Sequence, residues 1–308
     1  MAVALLLCGW STIGEAAPAG ELVEVYPCAV PRSTTDSPIS GDEALKGCSA
    51  LIQSKRYAGK ELASLLLQRG DVYLEMGNAK AAIADFTRAI ALDPDFVDAY
   101  RRRGDARLLA HDMRGAIDDY TKAIALAPKD VTLICTRAAA HHQGGDYDRA
   151  IADYSAAIAL EPNNVQFRTQ RALAYESKGD FEHALADYTE AARFDEVAIL
   201  RVCPITLQIR TPKEAIDACT KAITAVPQST SSWEMRGLAN LKLGRLKEAL
   251  ADFDAALKID PHSPIALYGR GVAKLKSGDT PGGDADIAAA KSYNTRVAEN
   301  VALYGVTP

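Results

Sequence analysis

The fold is decided by residues 63–94, which read ASLLLQRGDVYLEMGNAKAAIADFTRAIALDP. Small residues, one aromatic residue and a closing proline stand at fixed places in this stretch, and the same residue types return 34 residues later. In the first copy these residues are Gly70, Ala82, Phe86, Ala89 and Pro94. Small residues let two antiparallel helices pack closely, and proline ends a helix because it lacks an N–H group. The stretch therefore predicts a repeat of two antiparallel helices, helix A and then helix B.

The pattern returns as far as residue 296, in six to seven repeats of which one, residues 196–229, is degenerate. Its spacing resembles the tetratricopeptide repeat (TPR) family, whose repeat is a helix–turn–helix of this length. The resemblance implies an all-α TPR-type solenoid over residues 63–296, a right-handed superhelix of antiparallel helix pairs. Neighbouring pairs must stack, because no single pair can bury its apolar face alone. Residues 297–308 are expected to form a capping helix and tail.

An arginine at position 7 and an aspartate at position 23 occur together in six repeats. The arginines are Arg69, Arg103, Arg137, Arg171, Arg236 and Arg270, and the aspartates are Asp85, Asp119, Asp153, Asp187, Asp252 and Asp286. These positions face each other on helices A and B, which predicts one ion pair inside each repeat. A basic ladder for an acidic ligand is the alternative, and it is disfavoured because each arginine has its own aspartate.

The degenerate repeat, residues 196–229, lacks both members of the ion pair and has Val202 and Ala218 in their places. Next to these two residues stand Cys203 and Cys219, at the facing positions 8 and 24. The substitution predicts a disulfide between helix A and helix B of this repeat. Buried free thiols that pack as small apolar residues are the alternative.

A second disulfide is predicted near the start of the chain. Residues 43–52 align with residues 214–223, so that Cys48 takes the place of Cys219. Cys28 lies upstream of Cys48, as Cys203 lies upstream of Cys219. We therefore expect Cys28 and Cys48 to be bonded.

Residues 1–19 have the pattern of a secretory signal peptide, an apolar stretch followed by Ala17-Pro18-Ala19, which resembles a cleavage site. An apolar capping helix is the alternative. Residues 20–62 are expected to hold an irregular lead-in and an N-terminal capping helix. Because disulfides persist in oxidising compartments, these features favour the periplasm or secretion, with the cytoplasm as the alternative. Cys8 would leave with the signal peptide, and Cys135 would remain free.

Composition and motifs argue against several functional classes. The formal net charge of −5 is opposite to that of a nucleic-acid-binding surface. No run of 18 apolar residues occurs, which argues against an integral membrane span. His141 and His142 are adjacent and point to different faces of a helix, and the cysteines lack the C-x-x-C spacing of zinc and redox sites. The sequence predicts no enzyme activity and no catalytic, cofactor-binding or metal-binding residue.

The resemblance implies a concave groove that is lined by helices A. The predicted groove residues are Leu67, Asp71, Arg101, Asp105, Leu108, Thr132, Cys135, Thr169, Leu238 and Tyr268. Asp71 and Asp105 stand where some TPR co-chaperones hold a carboxylate, and their charge would repel one. We expect a non-catalytic scaffold or adaptor that presents this groove to a protein or peptide segment in the bacterial periplasm. The alternatives are a cytosolic TPR adaptor or co-chaperone and, more remotely, an enzyme or metal-binding protein.

Overall fold

The computed structural model describes residues 40–307, which form sixteen α-helices and contain no strand. In chain order the helices are α1 (Gly41–Gln53), α2 (Gly59–Glu75), α3 (Ala79–Leu92), α4 (Val97–Leu109), α5 (Met113–Leu126), α6 (Val131–Gln143), α7 (Tyr147–Leu160), α8 (Val165–Lys178), α9 (Phe181–Ala191), α10 (Glu196–Ile209), α11 (Pro212–Ala225), α12 (Thr230–Lys242), α13 (Leu246–Ile259), α14 (Pro264–Lys276), α15 (Thr280–Tyr293) and α16 (Val297–Ala302). The predicted all-α fold of paired helices is confirmed. The predicted signal peptide, residues 1–19, lies outside the described residues.

The chain divides after Pro162 into two compact units. We call their described parts the N-terminal module, residues 40–162, and the C-terminal module, residues 163–307. In each module, helix A of a repeat packs along helix B of the same repeat, and helix B packs on the next helix A. Helices A also touch one another along one face, as α2 touches α4 and α12 touches α14. On this face the sequence predicts the groove.

The turn between helix A and helix B is built in the same way in five repeats. Helix B begins after an Asn or Asp whose side chain accepts a hydrogen bond from a backbone N–H of the first turn, which has no partner inside the helix. These residues are Asn78, Asp112, Asp146, Asp180 and Asp279. The residue before each has positive φ and is glycine except at His111, where φ is 64°. The local sequence thus ends one helix and starts the next at fixed points.

The small residue at position 8 makes room for the aromatic ring at position 24 of the same repeat. A Cβ atom added to Gly104 would lie 2.7 Å from Tyr120 Cε1, and one added to Gly237 would lie 2.7 Å from Phe253 Cε1. Both rings are completely buried. A contact this short is not tolerated between carbon atoms, so glycine is the residue that fits against the ring.

All six predicted arginine–aspartate pairs are present, and each is bidentate. The guanidinium donates through Nε and Nη2 to the two carboxylate oxygens at 2.7–3.1 Å. The aspartates are buried, with 2–9% of their surface exposed. A buried carboxylate is stable only when it is paired and hydrogen-bonded. The pair therefore fixes helix A to helix B in each of these repeats.

Five of these arginines also join their repeat to the helix before it, a contact that the sequence analysis did not predict. The third nitrogen, Nη1, donates to a hydroxyl or carboxylate at position 25 of the preceding helix B at 2.9–3.2 Å. The pairs are Arg69–Ser49, Arg103–Thr87, Arg137–Thr121, Arg236–Thr220 and Arg270–Asp254. One side chain thus stabilises a repeat and its contact with the repeat before it.

The degenerate repeat contains the predicted disulfide. Cys203 in α10 and Cys219 in α11 are bonded with an S–S distance of 2.04 Å and a Cα–Cα distance of 4.7 Å, and both are fully buried. The covalent bond joins helix A to helix B in the repeat that lacks the ion pair. It takes over the role that the arginine–aspartate pair has elsewhere.

The other cysteine predictions have different outcomes. Cys28 lies outside the described residues, so its pairing with Cys48 stays a prediction. Cys48 is itself disulfide-bonded. The prediction that Cys135 remains free is wrong, because Cys135 is disulfide-bonded and its side chain is completely buried in α6. Position 5 of that helix faces inward, where no solvent reaches the sulfur.

Candidate partner-binding surfaces

In the N-terminal module, five of the predicted groove residues are half-buried. They are Leu67, Asp71, Arg101, Leu108 and Thr132, which lie on α2, α4 and α6. Asp105 is 8% exposed and Cys135 is buried, so neither presents its side chain to a partner. The half-buried residues alternate apolar and charged groups along the helices A.

Arginine and aspartate side chains lie beside one another at the centre of this face. Arg101 Nη2 lies 2.8 Å from Asp98 Oδ1, and Arg102 Nε lies 3.3 Å from Asp71 Oδ1 in an ion pair without hydrogen-bond geometry. Arg102 also approaches Asp105 Oδ2 at 4.0 Å. Each arginine of this helix face thus has an aspartate beside it, which favours a mixed-charge surface over a purely basic one.

Asp105 is also fixed from the other side, by helix B. The hydroxyl of Tyr120 donates to Asp105 Oδ1 at 2.7 Å. Burial raises the pKa values of Asp71 and Asp105, and the nearby guanidinium of Arg102 opposes that rise for both carboxyls. The carboxyl groups of this face therefore depend on the arginines for their negative charge.

In the C-terminal module, the three predicted groove residues are all buried. Thr169 on α8 is 2% exposed and donates to Asp195 Oδ2 at 2.7 Å. Leu238 on α12 and Tyr268 on α14 are 0% and 2% exposed. These two belong to one apolar cluster, and it includes residues that follow the last repeat.

The residues that cover this cluster are residues 297–307, which we call the closing segment. It consists of α16 and the five residues after it. Val297 and Val301 are 0% exposed and Val306 is 5% exposed, and all three lie in the cluster of Leu238 and Tyr268. The apolar groove face of the last two repeats is therefore occupied by the chain itself.

Polar groups of two helices, α8 and α12, act on the closing segment. Gly305 lies beside Lys242 at the end of α12, since a Cβ added there would be 3.4 Å from Lys242 Nζ. Burial raises the pKa of the Tyr304 phenol, and the negative charges of Glu176 on α8 and Glu234 on α12 raise it further.

These two carboxylates are held in place by other residues. Glu176 accepts a hydrogen bond from the hydroxyl of Tyr188 at 2.9 Å and pairs with Arg201 Nη1 at 3.3 Å. Glu234 is 6% exposed and accepts a hydrogen bond from the hydroxyl of Ser263. Burial raises the pKa of Glu234, and the hydrogen bond from Ser263 opposes the rise.

The part of the chain that the structure describes has neither a cluster of metal ligands nor a membrane-spanning helix. Residues 40–307 contain no group of three or more His, Cys, Asp or Glu side chains that could hold a metal ion. His141 is 5% exposed, and burial lowers its pKa. Within the same range, no helix combines the length and apolar character needed to cross a membrane.

Comparison with protein families decides which family this architecture belongs to. Models of the tetratricopeptide repeat match residues 67–131 and 165–197, and a further TPR repeat model matches residues 139–179 and 214–278. Together these matches span more than half of the chain. The chain is a tetratricopeptide repeat protein.

Solved structures show the same fold at low sequence identity. The Naa15/Naa10 complex bound to HypK-THB is 17% identical, with a TM-score of 0.55 over 85% of this chain and 42% of that one. MamA is 24% identical, with a TM-score of 0.46 over 50% of this chain and 87% of that one. YrrB, described as a TPR protein with an unusual peptide-binding site, is 21% identical, with a TM-score of 0.49 over 60% of this chain and 96% of that one. No curated protein matches.

The path of the closing segment is the structural feature of this TPR chain that the sequence did not reveal. The sequence predicts a capping helix after the last repeat, and a cap ordinarily covers the end of a solenoid. It does not predict that Tyr304 and Val306 reach back over groove residues of earlier repeats. A weak signal was present, because the position 9 and 12 residues of the last two repeats, Leu238, Leu241, Val272 and Leu275, are apolar and need a cover.

Proposed function

We propose that this TPR chain is a non-catalytic scaffold that binds a segment of a partner protein on the groove side of its N-terminal module. One observation carries the proposal: the half-buried side chains of Leu67, Asp71, Arg101, Leu108 and Thr132 share the helix A face. The other faces of these helices are used by the packing of the repeats. A surface with leucines around a charged network suits recognition of a protein segment better than of a small molecule.

The charged side chains on this face indicate which chemistry a partner segment would have. Arg101 has 26% of its side chain exposed and its partner Asp98 has 54%, so both signs of charge are available on this face. A segment with apolar side chains and both a donor and an acceptor group would match it. A free carboxylate beside Asp71 would meet repulsion instead.

A pair of arginine variants tests this proposal. Arg101→Glu reverses a charge on the groove face, and Arg149→Glu reverses one on α7, a helix B. Each arginine pairs with an aspartate three residues before it, at 2.8 Å for Arg101 and 3.2 Å for Arg149. We expect Arg101→Glu to lose a partner that the unaltered chain captures from envelope extracts, and Arg149→Glu to keep it. Equal capture by both variants would exclude the groove face as the binding surface.

We further propose that the scaffold acts in the periplasm. The buried Cys203–Cys219 disulfide supports this location, because such bonds persist in oxidising compartments. Peptide mapping of protein from its native compartment, without reductant, tests the location. Alkylatable thiols at both cysteines, together with capture of cytosolic chaperones alone, would favour the cytosolic adaptor.

A further inference from the structure

The closing segment has two parts that meet different repeats. Its helix, α16, packs on α14 of the last repeat through Val297 and Val301. That part is a cap, since it covers the apolar face that the last repeat leaves without a neighbour. The residues after α16 contact a different repeat.

Residues 303–307 follow α16 and approach an earlier repeat. Residues 303–305 continue α16 as a turn, and Gly305 has φ of 72°. Gly305 lies beside Lys242 of α12, one repeat back. Tyr304 packs against the apolar cluster that includes Leu238 of α12. A cap of the last repeat alone does not require contacts with α12.

The side chains of this stretch alternate in burial. Leu303 is 73% exposed, Tyr304 is half-buried, Gly305 is exposed and Val306 is 5% exposed. Val306 thus belongs to the apolar cluster that includes Leu238 and Tyr268, and Tyr304 packs against this cluster, while the residues beside them face solvent.

We propose that residues 303–307 are an intramolecular ligand that occupies the groove of the C-terminal module until a partner segment of the same chemistry displaces it. That chemistry is an aromatic residue with a hydroxyl, a small residue, and then an aliphatic residue. The aliphatic side chain lies in the cluster of Leu238 and Tyr268, and the aromatic residue packs against the same cluster. The proposal concerns the C-terminal module and is independent of the groove proposed for the N-terminal module.

Competition between the segment and a peptide tests this proposal. The probe is a fluorescent peptide of residues 302–307, ALYGVT. Its binding is measured by anisotropy to the full chain, to the double variant Tyr304→Ala/Val306→Ser, and to Leu303→Ala as the matched control. The double variant frees the groove, so we expect it to bind the peptide at least tenfold more tightly than the other two proteins. A peptide with serine in place of its tyrosine and valine should not bind.

Four results would overturn the proposal. The first is equal binding to all three proteins, and the second is no binding to the double variant. The third is a loss of helix content in the double variant, which would make Tyr304 and Val306 fixed parts of the core. A wild-type dimer in which the segment enters a second copy would contradict the intramolecular assignment.

Hydrogen exchange of the unaltered chain gives an answer that needs no variant. If residues 303–307 are a displaceable ligand, their amides open independently and exchange at least tenfold faster than those of α12 and α14. Adding an excess of the peptide should speed their exchange further, while α12 stays protected. Exchange of the segment at the same rate as α14 would identify it as a fixed cap.

Discussion

Replacing Arg69 and replacing Arg103, which lie in neighbouring repeats, should lower the stability of the protein by different amounts, although the surroundings of the two side chains are similar. Arg69 and Arg103 each form a bidentate pair with an aspartate of helix B, and each side chain is 13% exposed. The difference lies in the aspartates. Asp119 has a second arginine, Arg107, whose Nη1 lies 2.7 Å from Oδ2. Replacing each arginine by methionine removes the charge while keeping volume and helix propensity similar.

The expected cost follows from what remains beside each aspartate. Arg69→Met leaves Asp85, 5% exposed, with only Arg88 at 3.9 Å among its described ion-pair partners. An unpaired buried charge costs about 3 kcal/mol or more. Arg103→Met leaves Asp119 paired through Arg107, so the loss is limited to the charged hydrogen bonds, about 1.5 kcal/mol. The inter-repeat bond from Nη1 is lost in both variants and cancels in the comparison.

Native-state hydrogen exchange is the suitable assay, because solenoid stability is local and a single unfolding free energy describes it poorly. The amides of α3 report on Arg69→Met and those of α5 report on Arg103→Met. We expect the opening free energy to fall by about 1.5 kcal/mol more in α3 than in α5, the difference between the two costs above.

A second substitution tests whether the unpaired carboxylate of Asp85 causes the loss of stability in Arg69→Met. Asp85→Leu added to Arg69→Met removes the unpaired carboxylate and should restore most of the lost stability. Equal losses in the two single variants, or no recovery in the double variant, would refute the role assigned to the stranded carboxylate.

Three further predictions concern other parts of the fold. Replacing both cysteines of the Cys203–Cys219 disulfide, which are 16 residues apart, should lower the opening free energy of α10 and α11 by about 3 kcal/mol in native-state hydrogen exchange. Equal stability before and after would contradict this. Gly237→Ala should destabilise by about 1–3 kcal/mol because the added Cβ meets a buried ring. Gly144→Ala, with its nearest neighbour at 3.4 Å, should be near neutral, as thermal melts would show. Burial raises the pKa of Glu234, so its contribution to stability is present below the unfolded pKa and is lost as pH rises through the folded one. Glu234→Gln should therefore flatten the decline of stability between these two pKa values, and an unchanged pH profile would exclude Glu234 as its source.

The features that the sequence predicted correctly all recur at a fixed spacing. The arginine at position 7 and the aspartate at position 23 define a contact within one repeat, so the spacing alone places them together. The Cys203–Cys219 bond followed from the same register. The inter-repeat bond from arginine Nη1 to position 25 was equally accessible, because Thr87, Thr121 and Thr220 share that position. Its detection required comparison between repeats rather than within one.

The groove was harder to predict, because burial there depends on contacts that do not repeat. The register placed Leu238 and Tyr268 on the helix A face, yet it gave no information on what covers them. The closing segment has no counterpart elsewhere in the array, so no periodicity encodes its path. Cys135 shows the same limit, since its bonding is a single contact outside the repeat pattern.

Among the described residues, the helix A faces of the two modules differ in chemistry, and this difference explains why the face of the C-terminal module gains from a cover. Asp71, Arg101 and Asp98 stay hydrated or paired at a surface without large cost. An apolar strip that includes Leu238 and Tyr268 gains by removal from water, and Val306 provides that cover. A partner of the C-terminal module would therefore bind with an affinity reduced by the fraction of chains whose segment is closed. A partner of the N-terminal module does not meet this particular competition.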